Sequence, residues 1–137
     1  MVRWMGAEAT LDPRPGGVCR INPSGHAVMS RKLLEADPPR RLVLACGWET
    51  ESFATPPQSA IVEVTLTQDG AETIMHLAHR RLKHSAVAFH RAGWEHYLPR
   101  LSLLATGADP GADPWRDIAV DLTELRNAGV ATRRSCR

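Results

Sequence analysis

No long apolar run occurs in this 137-residue chain. The most apolar stretch, residues 42–48 (LVLACGW), is far below the 18 or so residues that a membrane span needs. The N-terminus carries Arg3 but no apolar segment of signal-peptide length behind it. Cysteine is scarce: Cys19, Cys46 and Cys136 are odd in number and never spaced as CxxC, which argues against a disulfide framework or a zinc site. An excess of one charge is also lacking. A net charge of +2, with no basic block interleaved with aromatics, leaves no footprint for nucleic acid or a membrane surface. These absences predict a cytoplasmic protein with no nucleic-acid and no membrane partner.

Catalytic signatures are missing as well. Neither HExxH nor GxSxG occurs, and Arg14-Pro15-Gly16-Gly17 is no phosphate loop, because it lacks the Gly-Lys-Ser/Thr ending and precedes a strand. His76 and His79 stand three apart in a predicted strand, so they point to opposite faces and cannot share an ion. His90 and His96, six apart on a predicted helix, are poorly spaced for ligation too. Ser85 beside His84 is adjacency without geometry, and Cys46 reads as a small buried hydrophobe. No metal, no cofactor and no catalytic residue is expected.

What the chain does have is one domain's worth of core, with 43% hydrophobic and 23% charged residues, close to globular averages. Val62, Val64 and Leu66 alternate with Glu63, Thr65 and Thr67, the period of a strand with one wet face. Asp69-Gly70 predicts a hairpin turn, and the returning strand, 72–79, sets Thr73, Met75 and Leu77 against Ile74, His76 and Ala78. Residues 18–22, 26–36 and 41–49 read as three earlier strands separated by the turn chemistry of Asn22-Pro23-Ser24-Gly25 and Asp37-Pro38-Pro39. Five strands joined by short turns predict an antiparallel meander.

From Ser85 the period changes. Val87, His90, Trp94, Tyr97, Leu98, Leu101 and Leu104 recur at three and four, predicting a helix of roughly twenty residues that stops at Gly107. Gly93 is expected to permit close helix–sheet approach, and Pro99 to kink or divide the helix. Beyond it, 108–115 reads as an irregular connector and 116–128 as a short helix. Strands first and a long helix last make the fold class α+β, a curved antiparallel sheet with a C-terminal helix across one face. The tryptophans, Trp4, Trp48, Trp94 and Trp115, either fill that core or line a cavity within it.

Several segments together resemble a known family: Arg14-Pro15-Gly16-Gly17 opening a strand, DPPRRLVLACGWE (37–49), VEVTLT and ETIMHLAH (62–79), and HRAGWEHYLPRL (90–101). Their order and spacing are similar to those of the activator of heat-shock-protein-90 ATPase homologue family, within the START-like (SRPBCC) superfamily. The resemblance spans residues 3–115. It implies a helix-grip fold: a curved sheet wrapped around a long C-terminal helix with a hydrophobic cavity between them. It further implies residues 1–107 as a START-like hydrophobic-ligand-binding domain and 108–137 as connector and tail. Trp48, Met75, His76, Trp94 and Tyr97 are the implied cavity residues, with His76 and Tyr97 as polar handles. Where the family tends to have a Gly-Leu-like pair, Arg80-Arg81-Leu82 makes the rim more basic.

The functional expectation is non-enzymatic binding of a small hydrophobic molecule. Two alternatives stand beside it: a protein–protein, chaperone co-factor or regulatory module like the eukaryotic namesake, and a cavity enzyme using His76 as acid or base. The chain start adds a structural expectation. Residues like RWMG (3–6) follow an N-terminal strand and short helices in the family, so this chain is expected to lack them. Its sheet should then be one strand short, with one mouth of the cavity open and an exposed edge that a homodimer could cover.

Overall fold

The computed structural model describes residues 2–23, 25, 27–50 and 53–116; the expected helix at 116–128 falls almost wholly outside them. Six strands succeed one another: β1 (Glu8–Thr10), β2 (Val18–Asn22), β3 (Met29–Asp37), β4 (Arg41–Trp48), β5 (Ala60–Asp69) and β6 (Glu72–Arg80). Among the described residues one helix, α1 (His84–Ala105), follows them. Each strand pairs antiparallel with its sequence neighbour, so the sheet order is the chain order. The meander is therefore as expected, with β1 added to it. β1 was illegible because three residues, Glu8-Ala9-Thr10, are too few to show a period.

The alternation in β5 works as a face selector. Val62 is buried on the inner face, while Glu63 points outward and pairs with Arg41 (3.1 Å) and Arg80 (3.0 Å). The hairpin loop is Gly70-Ala71, since Asp69 still pairs with Glu72. A bulge at Leu34 resets the register of β3, which leaves Leu33 inside and turns Glu35 outward to an ion pair with Arg41.

Register then lays out the inner face in rows. Leu33, Leu44, Val62 and His79 align in one; Cys19, Arg31, Cys46 and Ala60 in the next; Ile21, Met29 and Trp48 in a third. The apolar members close into two clusters. Leu33, Leu44, Cys46, Ala60 and Val62 form one, and Met5, Ile21 and Tyr97 the other, with Trp94 packed against both.

α1 continues through Pro99 as a single element, so Pro99, on its exposed side, does not divide it. The helix ends in a Schellman motif: Ala108 N–H donates to the Leu103 carbonyl and Gly107 N–H to Leu104, with Gly107 at φ +83°. Its buried stripe runs through Ala86, His90, Tyr97 and Arg100, one residue aside from the apolar stripe that starts at Val87, which is exposed. No Cα of α1 comes within 8 Å of a strand Cα, so side chains alone bridge the layers. The expected close approach at Gly93 is thus corrected: a Cβ there would meet nothing within 4 Å.

Both outer strands of the sheet, β1 and β6, have a strand neighbour on one side only among the described residues. Between β6 and the flank of α1 lies an open groove of about 710 Å³, lined by Met75, Leu77, Leu82 and Leu98 among others. No described helix is long and apolar enough to cross a membrane.

Candidate functional site

Because α1 stands off the sheet, large side chains must fill the gap, and they leave part of it empty. A cavity of about 70 Å³ lies over the Arg31 and Trp48 rows, with Trp48, Phe89, Trp94, Tyr97 and Trp115 among its walls. By water-sized measure this holds a few small groups, since one water needs roughly 10–15 Å³. Gly93 also faces it, and the missing side chain there is part of the empty space.

β4, α1 and the connector supply the aromatic walls. β4 contributes Trp48, whose ring stacks on Phe53 at 4.3 Å. The loop after β4 is held against that strand by Trp48 N–H donating to the Thr55 carbonyl (2.8 Å). Its seat requires Gly47: a Cβ there would stand 1.8 Å from the Pro56 carbonyl oxygen. The connector after α1 contributes Trp115 to the wall. Trp115 stacks on His96 at 4.0 Å and 3°, while His96 Nε2 lies 2.7 Å from Asp113 Oδ1. This connector is anchored by Arg100, whose guanidinium donates to the carbonyls of Trp4, Pro110, Gly111 and Ala112 at 2.8–3.2 Å.

The polar groups inside are few. His79 and His90 meet edge to face with ring centroids 4.6 Å apart. Burial pushes the His79 ring down to about 4, helped by the charges of His90 and Arg31; burial and then Arg31 take His90 down to about 4. Trp94 Nε1 donates to His79 Nδ1 (3.1 Å), and an indole N–H can only donate. His79 Nδ1 is therefore bare, and the neutral ring carries its proton on Nε2, directed at Cys46 Sγ 3.5 Å away. His90 Nε2 shares a 3.1 Å hydrogen bond with Thr55 Oγ1.

This geometry excludes a Cys–His nucleophile. Burial raises the Cys46 thiol to about 11, against the lowering pull of Arg31. His79 Nε2 already holds a proton and cannot take the thiol's. Burial, with Asp113 next to it, likewise pushes the Tyr97 phenol up. No group of three ligating side chains gathers among the described residues.

Of the residues expected at the cavity, the structure brings Trp48, Trp94 and Tyr97 together around it. Met75 lies outside, on the open groove along β6. His76 is corrected outright: it is exposed on the outer face, because strand alternation sends His76 one way and Leu77 and His79 the other. A cavity enzyme using His76 is thereby ruled out. The histidines that do line the cavity are His79 and His90. Trp115, one of the four tryptophans expected either to fill the core or to line a cavity, lines it too, as do Arg31 and Phe89, which were not foreseen. A signal for Arg31 existed in its parity, since Met29 and Leu33 flank it at two residues on either side, so an apolar strand face carries it inward.

Comparison with known proteins fits this architecture. No curated protein sequence matches the chain. Among solved structures, the crystal structure of CalU16 from Micromonospora echinospora superimposes with a TM-score of 0.58 at 25% identity, over 95% of this chain and 68% of that one. The family model "Activator of Hsp90 ATPase homolog 1-like protein" matches residues 1–105. Six antiparallel strands, one long closing helix and a match over most of the length lead to one assignment: the chain belongs to the Activator of Hsp90 ATPase homolog 1-like protein family.

Proposed function

We propose that this protein binds a small hydrophobic ligand, without chemical turnover, in the cavity between the sheet and α1. The observation that carries the reading is the cavity's wall: aromatic rings from β4, α1 and the connector converge on space that no side chain fills. Apolar surface held open in this way gains free energy when a ligand covers it, at about 25 cal/mol for each Å² removed from water. Cys46 and His79 do not form an activated nucleophile–base pair, which favours binding over catalysis. A chaperone-directed role has only the family's name behind it. Free thiols at the buried Cys19 and Cys46 accord with a reducing, cytoplasmic setting.

Three of the four tryptophans, Trp48, Trp94 and Trp115, line the cavity, so their fluorescence is the readout. Titration with a panel of fatty acids and aromatic polyketides is expected to give saturable quenching or enhancement by at least one compound class. A folded protein that shows no saturable response to any of them refutes the reading.

A further inference from the structure

Every other arginine whose contacts the structure defines on the strands and their turns has a carboxylate. Arg14 pairs with Asp12, Arg20 with Glu49, Arg40 with Asp37, Arg41 with Glu35 and Glu63, and Arg80 with Glu63. Arg31 is the exception. It is 5% exposed, lines the cavity, and among the described residues has no acidic partner.

Its contacts are those of a cation left without an anion. Nε donates to Met29 Sδ at 3.2 Å and Nη2 to Met5 Sδ at 3.5 Å; both thioethers are weak acceptors. The guanidinium carbon lies 6.0 Å from the Trp94 ring centroid, at the limit of a cation–π contact. A guanidinium has five N–H donors, so three of them find no acceptor among the described residues. The side chain stays charged all the same, because arginine does not deprotonate in proteins. Trp48, 6% exposed and lining the same cavity, also has an indole N–H with no acceptor there. A buried charge without a partner is costly, and an anion that enters the cavity removes the cost.

We propose that the cavity takes an apolar carboxylic acid as its anion, with the Arg31 guanidinium holding the carboxylate and the aromatic walls holding the body. The inference rests on the hydrophobic-ligand reading and sharpens it. One guanidinium matches one negative charge, which favours a monoanion over a phosphate dianion in so apolar a lining. Its planar fork fits the two oxygens of a carboxylate in parallel hydrogen bonds. The volume of about 70 Å³ is about half of the roughly 150 Å³ that takes one benzene ring, so a single ring or a short chain enters as the flexible Met5 and Met29 yield.

The test is calorimetric titration of the full chain at pH 7.5 with two matched pairs, benzoate against benzyl alcohol and hexanoate against 1-hexanol. Each acid is expected to bind at least tenfold more tightly than its alcohol. In Arg31→Met that preference should vanish while alcohol binding persists, and Arg31→Lys should restore part of it. Acids and alcohols binding equally to the wild-type chain overturn the carboxylate proposal and leave the hydrophobic-ligand reading standing. Binding of neither class overturns both. The wild-type comparison needs no variant to fold. An acid preference that survives in Arg31→Met also overturns the assignment to Arg31.

Discussion

Two buried arginines divide this molecule into a part that is finished and a part that is not. Arg100, 9% exposed on α1, spends its donors on four backbone carbonyls, and by doing so ties the chain start and the connector to the helix. Arg31, 5% exposed on β3, meets two thioethers and a ring. Burial alone therefore says little about what a charged residue is for. A guanidinium surrounded by carbonyls is part of the architecture. One surrounded by sulfur and indole is a binding group waiting for its anion.

The largest effect that can break this contrast is a pair of substitutions. Arg100→Met strands four carbonyls and is expected to cost about 3 kcal/mol, or roughly 10 °C in Tm. Arg31→Met replaces an unpaired cation by a shape-matched apolar chain and should leave the ligand-free protein unchanged or more stable by about 1 kcal/mol. Thermal unfolding of both variants decides it. Equal losses would mean that Arg31 is already paired in the fold.

Acid titration sharpens the same contrast at a smaller scale. His79 and His90 stay neutral in the fold down to about pH 4, whereas an unfolded chain takes up protons near the ordinary histidine value of 6.5. The stability they support is complete above about pH 6.5 and is lost as pH falls toward 4, by on the order of a few kcal/mol for the pair. Arg31 is one cause of both low values, so Arg31→Met should make the decline shallower and Arg100→Met should not. Denaturant melts between pH 4 and 7 test this, and identical slopes in the two variants would contradict it.

The smallest expected effect lies at Gly93, where the helix faces the cavity. Gly93→Ala should gain up to about 1 kcal/mol of helix propensity, since the added methyl meets nothing within 4 Å. The same methyl occupies cavity space, so ligand affinity should fall while Tm rises. A loss of stability would show that the space at Gly93 does not accept a methyl.

Much of the architecture was readable before the structure. Alternation over 62–67, the turn near Asp69-Gly70 and the three-four spacing from His90 to Leu104 are local patterns, and the strands and helix follow them. Trp48, Trp94 and Tyr97, which the family resemblance implies at the cavity, lie in its lining. His76 was placed wrongly because period two says that neighbours oppose each other, not which of them faces in. Register with Val62 assigns that to His79.

Element type, turn position and chain order were thus set by interactions among residues a few positions apart, and such interactions are written directly in the chain. Which face closes, how far α1 stands from the sheet, and which arginine finds carbonyls were set by groups brought together over long separations. Arg100 meets Trp4 across 96 positions, and Arg31 meets Met5 across 26. No local period encodes such a meeting. A buried charge with or without a partner is a property of that assembled surrounding, so only the tertiary structure could separate the arginine that completes the fold from the one that awaits a ligand.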